Sequence, residues 1–358
     1  MHIPDGYLSP QTCAAFGVAM VPAWTVAGRK VRKVVKSRYV PLLAIGAAYC
    51  FLVMMFNVPI PDGTTAHAVG GVLIAVLLGP WAAVIAVTVA LAIQAVFFGD
   101  GGVLAFGANA FNMALVMPMI GYAVYKVVAG NSALTARRRA VAAGLGGYVG
   151  LNVAALFAAI EFGLQPTLFH SANGTPLYAP YHLAQTIPAM ALAHLAVAGV
   201  VEFVLTAGVV AYLQRANLPL LRINHESLTE SASEATVPRP VRWRGILIGL
   251  GVMVALTPIG LLAPGTAFGE SAPRDLDPHK FHLGGVPSGL RHYAGFWHNA
   301  IFSGYDFKHD AHPTVGYVIS AIAGVAAIAL VAVLGFAIVR LVRRSRHGRR
   351  REIAGVLT

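Results

Sequence analysis

The sequence predicts an all-α integral membrane protein. It reads as a polytopic bundle of about seven spans, followed by two further spans toward the C-terminus, with the N-terminus external. Three observations carry that reading. Mean hydropathy is +0.69 and only 11% of residues are charged, where soluble domains run at roughly 25%. The apolar runs are long and do not alternate, as helices require; barrel strands would be alternating segments of about ten residues. The basic residues fall in four groups between those runs.

In chain order the expected spans are 11–28, 40–57, 67–79, 82–98, 107–128, 140–162, 183–212, 245–263 and 314–340. A full span takes about 20 apolar residues, so the third and fourth, separated by "LLGPW", are tight. The basic groups are "RKVRKVVKSR" at 29–38, Lys126 with the "RRR" at 137–139, the five arginines from Arg215 to Arg244, and the tail from Arg340 to Arg351. Together they hold all the Lys and Arg residues except Arg274, Lys280, Arg291 and Lys308. With nine spans the four groups share one side, which the distribution of basic residues marks as cytoplasmic. The net charge of +12 is then topogenic, and no nucleic-acid partner is expected.

The C-terminus falls on the cytoplasmic side. The outer side receives the N-terminus and loops 58–66, 99–106, 163–182 and 264–313. The stretch 222–242, "RINHESLTESASEATVPRPVR", is rich in Ser, Thr, Glu and Pro and reads as a flexible cytoplasmic linker that few contacts cross. It divides the chain into residues 1–221, the linker, and a two-span segment 243–358. Cys13 and Cys50 both lie in spans, which argues against a disulfide framework or a CxxC metal site.

The opening "MHIPDGYLSP" carries chemistry. Histidine at position 2 is too bulky for the usual trimming of the initiator, and the first ten residues lack the basic region of a cleavable signal peptide. The Met1 amine, the amide nitrogen of His2 and its imidazole can close fused chelate rings on one metal ion. Three nitrogens in a plane leave a fourth corner, and nitrogen-rich planar sites suit Ni(II) or Cu(II). Mg(II) and Ca(II) prefer oxygen ligands, and Zn(II) prefers a tetrahedron. His67, just after the outer turn "PDGTTA", is the candidate for the fourth corner; capping or core packing is its other reading.

The stretches "MHIPDGYLSP", "TTAHAVGG", "LLGPWAA", "FFGDGG" and "FGANAFNM", in that order, resemble the CbiM/NikM family over about residues 1–215. These are substrate-binding membrane (S) components of energy-coupling-factor transporters for cobalt or nickel. The resemblance implies a metal held by Met1, His2 and His67. It also implies a transmembrane coupling (T) subunit and two cytoplasmic ATPase subunits as partners, in a multi-pass cell-membrane protein in contact with lipid. The remainder resembles the small CbiN/NikN accessory component fused in line, with "APGTAFGE" at 263–270 near its start.

Polar residues in the spans have two readings each. Gln94, Asn109, Asn112 and Asn152 either bond between helices or orient the ligands from behind. His194 and Glu202, eight apart on one helix face, are expected to be structural or coupling groups rather than ligands. Ala82, Ala86 and Ala90 form a small-residue packing stripe. The outer loop 264–313 holds His279, His282, His292, His298, His309 and His312, either solvated loop histidines or a metal antenna.

The sequence has no G-x-x-x-x-G-K-[ST] and no H-E-x-x-H, so a P-loop ATPase and a zinc protease of that type are not expected. No permanently bound cofactor is expected; Ni(II) or Co(II) would be cargo. A stand-alone carrier or channel remains a competing reading, as does a membrane enzyme with a catalytic metal, which would need an open coordination position.

Overall fold

The computed structural model describes residues 1–34, 40–60, 64–225, 241–263, 265–281, 283–307 and 312–356. Among them six helices are long and apolar enough to cross a membrane: Pro80–Phe98, Phe106–Ala129, Arg137–Leu168, Leu183–Ala216, Trp243–Leu262 and Pro313–Ile338. Val40–Met54 is a shorter apolar helix. The bundle opens with α1 (Pro10–Val34) and α2 (Val40–Met54), and a short antiparallel hairpin, β1 (Val58–Ile60) and β2 (Thr64–Ala66), follows.

Three expected spans are not among those six: the first, which is α1, the second, which is the shorter α2, and the third, which departs most. Helix α3 covers only Gly71–Leu78, eight residues, too short to cross by itself. The preceding residues 67–70 lie outside regular secondary structure. Non-helical backbone at membrane depth survives only where protein satisfies it, and residues 65–78 are all buried. The Glu202 carboxylate supplies the bonds: its Oε2 accepts the Val69 and Gly70 N–H groups at 2.8 and 3.0 Å. This caps the start of α3 with an anion, where the helix dipole favours one.

Helix α4 (Pro80–Ile93) starts one residue after α3 and is wedged against α1, α2 and α3. Its stripe Ala82, Ala86 and Ala90 is fully buried, an internal packing face. There follow α5 (Phe106–Asn109), α6 (Met117–Ala129), α7 (Arg137–Leu168), α8 (Leu183–Ala193) and α9 (Gly199–Ala216). The close approach of α6 to α7 needs small residues: a Cβ on Gly150 would meet the Met117 carbonyl at 2.6 Å. Among the described residues three helices carry a wide π-turn, at Gln94–Phe98, Ala110–Val116 and His194–Ala198. Such turns insert a residue and re-aim side chains, frequently at functional positions.

One end of the bundle gathers basic groups. Arg139 ties the α6–α7 turn through Tyr125 and the Ser132 and Ala133 carbonyls. Gln214 bonds Leu134 and Ala136 across it, and Asn217 meets the Arg242 backbone. The short α10 (Leu218–Arg222) lies beside them. The opposite end gathers the N-terminus, loop 99–105 and loop 169–182, the grouping that the apolar runs predict.

The C-terminal segment holds α11 (Trp243–Leu256), α12 (Ser288–Tyr293) and α13 (Pro313–Val356). Helix α11 buries no residue, and its Leu247, Ile248 and Val252 are exposed apolar side chains suited to lipid. Much of the linker, 226–240, lies outside the described residues. The separation expected between the two portions does not extend to the end of the bundle that holds the N-terminus. There Met55, Val96, Phe97 and Leu177 accept bonds from Tyr317, Trp297, Phe302 and Leu290.

Candidate metal centre

The N-terminal residues do not project outward. Met1 and His2 are each 2% exposed and Ile3 is fully buried. Three anchors hold them. Asn109 clasps Ile3 with both amide atoms, accepting its N–H at 2.8 Å and donating to its carbonyl at 3.0 Å. The Asp5 carboxylate accepts the N–H groups of Val103, Leu104 and Ala105. Burial pushes the Asp5 carboxyl above its ordinary range, and those three bonds oppose the shift. The "PDG" turn places Gly6 at φ 91 directly against the Leu290 backbone, where a side chain would not fit.

These anchors bring His2 onto His67. His2 Nδ1 and His67 Nε2 lie 3.1 Å apart, with ring centroids at 4.9 Å. Their other nitrogens are committed. His67 Nδ1–H donates to the Ala68 carbonyl at 3.0 Å, leaving a lone pair on Nε2. Gln94 donates its amide hydrogens to the Asp100 carboxylate and the Tyr305 hydroxyl, so its Oε1 accepts from His2 Nε2–H at 3.2 Å. Neutral rings held this way turn two lone pairs on each other. One cation between them resolves the conflict, either a proton or a metal ion. The Asp100 carboxylate, 3.5 Å from His2 Nδ1, faces the same spot.

The Met1 amine is buried beside this pair and forms an ion pair with Glu270 at 2.8 Å. A buried ammonium requires such a partner. Among the described residues no three His, Cys, Asp or Glu side chains cluster as a metal site.

Other sequence-selected residues fall elsewhere. Asn112 donates to Glu161, and Asn152 to the Tyr148 carbonyl. His194 Nδ1–H bonds the Met190 carbonyl, and its buried Nε2 has no hydrogen-bond partner among the described residues. Of the loop histidines, His279, His292, His298 and His312 are exposed; His282 and His309 lie outside the described residues.

Sequence reasoning missed Asp5, Asp100, Glu270 and Tyr305. The first three stood inside stretches already singled out, as "PDG", "FFGDGG" and "APGTAFGE". Their carboxylates were the unused signal. Nothing in the sequence marks Tyr305.

Over residues 2–220 the sequence matches the family described as "Cobalt uptake substrate-specific transmembrane region", CbiM. The chain belongs to the CbiM family. The fused nickel transport protein NikMN of Rhodobacter capsulatus is 47% identical over 357 residues, spanning 96% of this chain and all of that one. The probable fused nickel transport protein LarMN of Lactiplantibacillus plantarum is 48% identical over 330 residues, covering 91% of this chain and 94% of that one. The chain is thus a fused member, carrying a NikN-like segment after its CbiM region. Two crystal structures are similar. One, described as a transition metal transporter, is 57% identical with TM-score 0.57, covering 63% of this chain and 97% of that one. The other, described as truncated, is 60% identical with TM-score 0.56, covering 60% and 98%. A CbiM-family chain with these helices is a multi-pass membrane protein.

Proposed function

We propose that this chain is the substrate-capturing S component of an ATP-dependent energy-coupling-factor importer for Ni(II) or Co(II). The ion is held in a plane by the Met1 amine, the His2 amide nitrogen, His2 Nδ1 and His67 Nε2. The observation that carries this reading is the pair of ring nitrogens facing each other at 3.1 Å beside the buried amine. Imidazole–metal bonds of about 2.0–2.1 Å put neighbouring corners of a square about 2.9 Å apart, so little movement is needed.

The chelate logic fits the nitrogen presented. Through His2 Nδ1 the imidazole closes a six-membered ring with its own amide; Nε2 would not reach. Loading displaces the proton between the rings, one from the ammonium and one from the amide. Glu270 and Asp100 place negative charge around the ion. Names of the relatives favour nickel as cargo, as does the affinity order for strong in-plane nitrogens.

In this reading residues 1–221 capture the ion, 222–242 link on the cytoplasmic side, and 243–358 serve as an accessory segment. A coupling subunit and two ATPase subunits power uptake. The amine is a ligand only if it is terminal. Adding three residues before Met1 should therefore abolish stoichiometric Ni(II) binding while circular dichroism shows the fold intact. An extended protein that still binds one ion sinks the proposal. Uptake into vesicles lacking the ATPase subunits would favour a stand-alone carrier instead.

A further inference from the structure

We propose that Tyr305, from the C-terminal accessory loop, is a positioning residue that selects the metal-ligating tautomer of His2. The inference rests on the chelate read above. It deepens that reading by giving the fused segment a chemical role inside the site.

The chain of bonds is closed. The Tyr305 hydroxyl donates to Asp100 Oδ2 and accepts from Gln94 Nε2 at 3.0 Å. Gln94 Nε2 also reaches Asp100 Oδ2 at 3.3 Å. A carboxylate can only accept, so the direction of the Tyr305 hydrogen is fixed, and the hydroxyl oxygen must receive from Gln94. Both hydrogens of the Gln94 amide are then spent. Its oxygen alone is left to face His2 Nε2, at 3.2 Å. That nitrogen must carry the hydrogen, which leaves Nδ1 as the lone-pair nitrogen toward His67. The opposite tautomer would set the Nε2 lone pair against the Gln94 oxygen and present Nδ1–H where the metal belongs.

Tyr305 is built into this place. It is 8% exposed, and its ring stacks on Phe98 at 4.9 Å and lies by Tyr317 at 5.6 Å. Gly304 and Tyr305 both adopt left-handed backbone, at φ 70 and φ 66. Tyr305 is the only non-glycine with positive φ among the described residues. Such a conformation persists where the surroundings impose it, and it clusters at functional sites. Phe302 N–H to the Phe97 carbonyl at 3.0 Å and Trp297 Nε1–H to the Val96 carbonyl at 2.8 Å pin the flanking loop to the π-turn that starts at Gln94.

The test uses full-length, metal-free protein carrying 15N-histidine, above the histidine titration range. Long-range proton–nitrogen spectra distinguish Nε2–H from Nδ1–H, with the His2 signals assigned by their loss in His2→Ala. Wild type should show His2 as Nε2–H. Tyr305→Phe should shift it toward a mixture and weaken Ni(II) binding about tenfold, the usual effect of removing an outer partner of a ligating histidine. The visible band of planar Ni(II) should persist. An unchanged tautomer overturns the proposal, whether or not affinity falls, because a merely structural tyrosine would act that way. If Tyr305→Phe fails to fold, Asp100→Asn at the partly exposed rim decides. It removes the anionic acceptor of the Tyr305 hydrogen and should produce the same shift. Were the three-residue N-terminal extension to leave binding intact, the chelate would fail. The tautomer measurement on metal-free protein would still decide the relay.

Discussion

His2 shows how much a single side chain can be committed by its neighbours. One nitrogen is tied to Gln94, the other faces His67, and its backbone lies between the buried Met1 and Ile3. Metal binding at such a place competes with protons. The amine must lose one, and the inter-ring position must exchange a proton for the ion. Lowering pH raises the proton's share of that competition, so Ni(II) affinity should fall as the medium is acidified through the histidine range near 6.5. Titrating affinity between about pH 5 and 8 checks this, and a flat profile would contradict a histidine-nitrogen site. Asp5 yields a second expectation. Its carboxylate binds three successive N–H groups at 103–105, and Asn could not serve all three, because its NH2 group would face a donor. Asp5→Asn should weaken Ni(II) affinity about tenfold by loosening the N-terminal loop, and chelator competition measures it.

At the scale of elements, α3 carries the argument. A half-length helix led by non-helical backbone is stable only because Glu202 satisfies its first donors. Glu202→Ala leaves two buried N–H groups without partners, at about 1–3 kcal/mol each. Glu202→Gln keeps an oxygen for them and can turn its NH2 toward Thr206, the other partner of the carboxylate. Thermal unfolding in detergent should therefore place Ala well below wild type and Gln close to it. Equal losses would mean that charge, not bond satisfaction, sets the role. The order of the helices was legible because long apolar runs report burial in lipid or protein directly. The shortness of α3 was not, because "TTAHAVGGVLIAVLLG" is apolar throughout and says nothing about where helical backbone begins. Nor were the π-turns, which depend on one inserted residue fixed by packing. At the proposed site, Met1 and His2 could be singled out because chelation needs few atoms at short spacing, and His67 because it follows a Pro/Gly turn. Tyr305 was not, because its partner Gln94 is 211 residues away.

Across the whole molecule, the end that holds Met1 is one assembly built from both portions of the chain. Glu270 pairs with the Met1 amine, Ser271 accepts the Tyr7 hydroxyl hydrogen, and Tyr305 completes the Gln94–Asp100 triangle. A chain read as two separable parts would keep its metal affinity when cut after Leu221. The structure argues otherwise: the cut removes the anion beside a buried ammonium and one corner of the network that aims His2. Folding should survive, since the two crystallised relatives, matched over 97% and 98% of their length, cover only 63% and 60% of this chain. The truncated protein should therefore bind Ni(II) in the same planar environment, with the same visible band, but with affinity lowered about 10–100-fold. Supplying residues 243–358 as a separate polypeptide should restore part of the loss, because the contacts are non-covalent and gathered at one end. Equilibrium binding by chelator competition, with and without that second polypeptide, measures both effects. Affinity equal to wild type after truncation would show that the accessory loop rests on the site without supporting it, and loss of the planar band would show that it supplies a ligand.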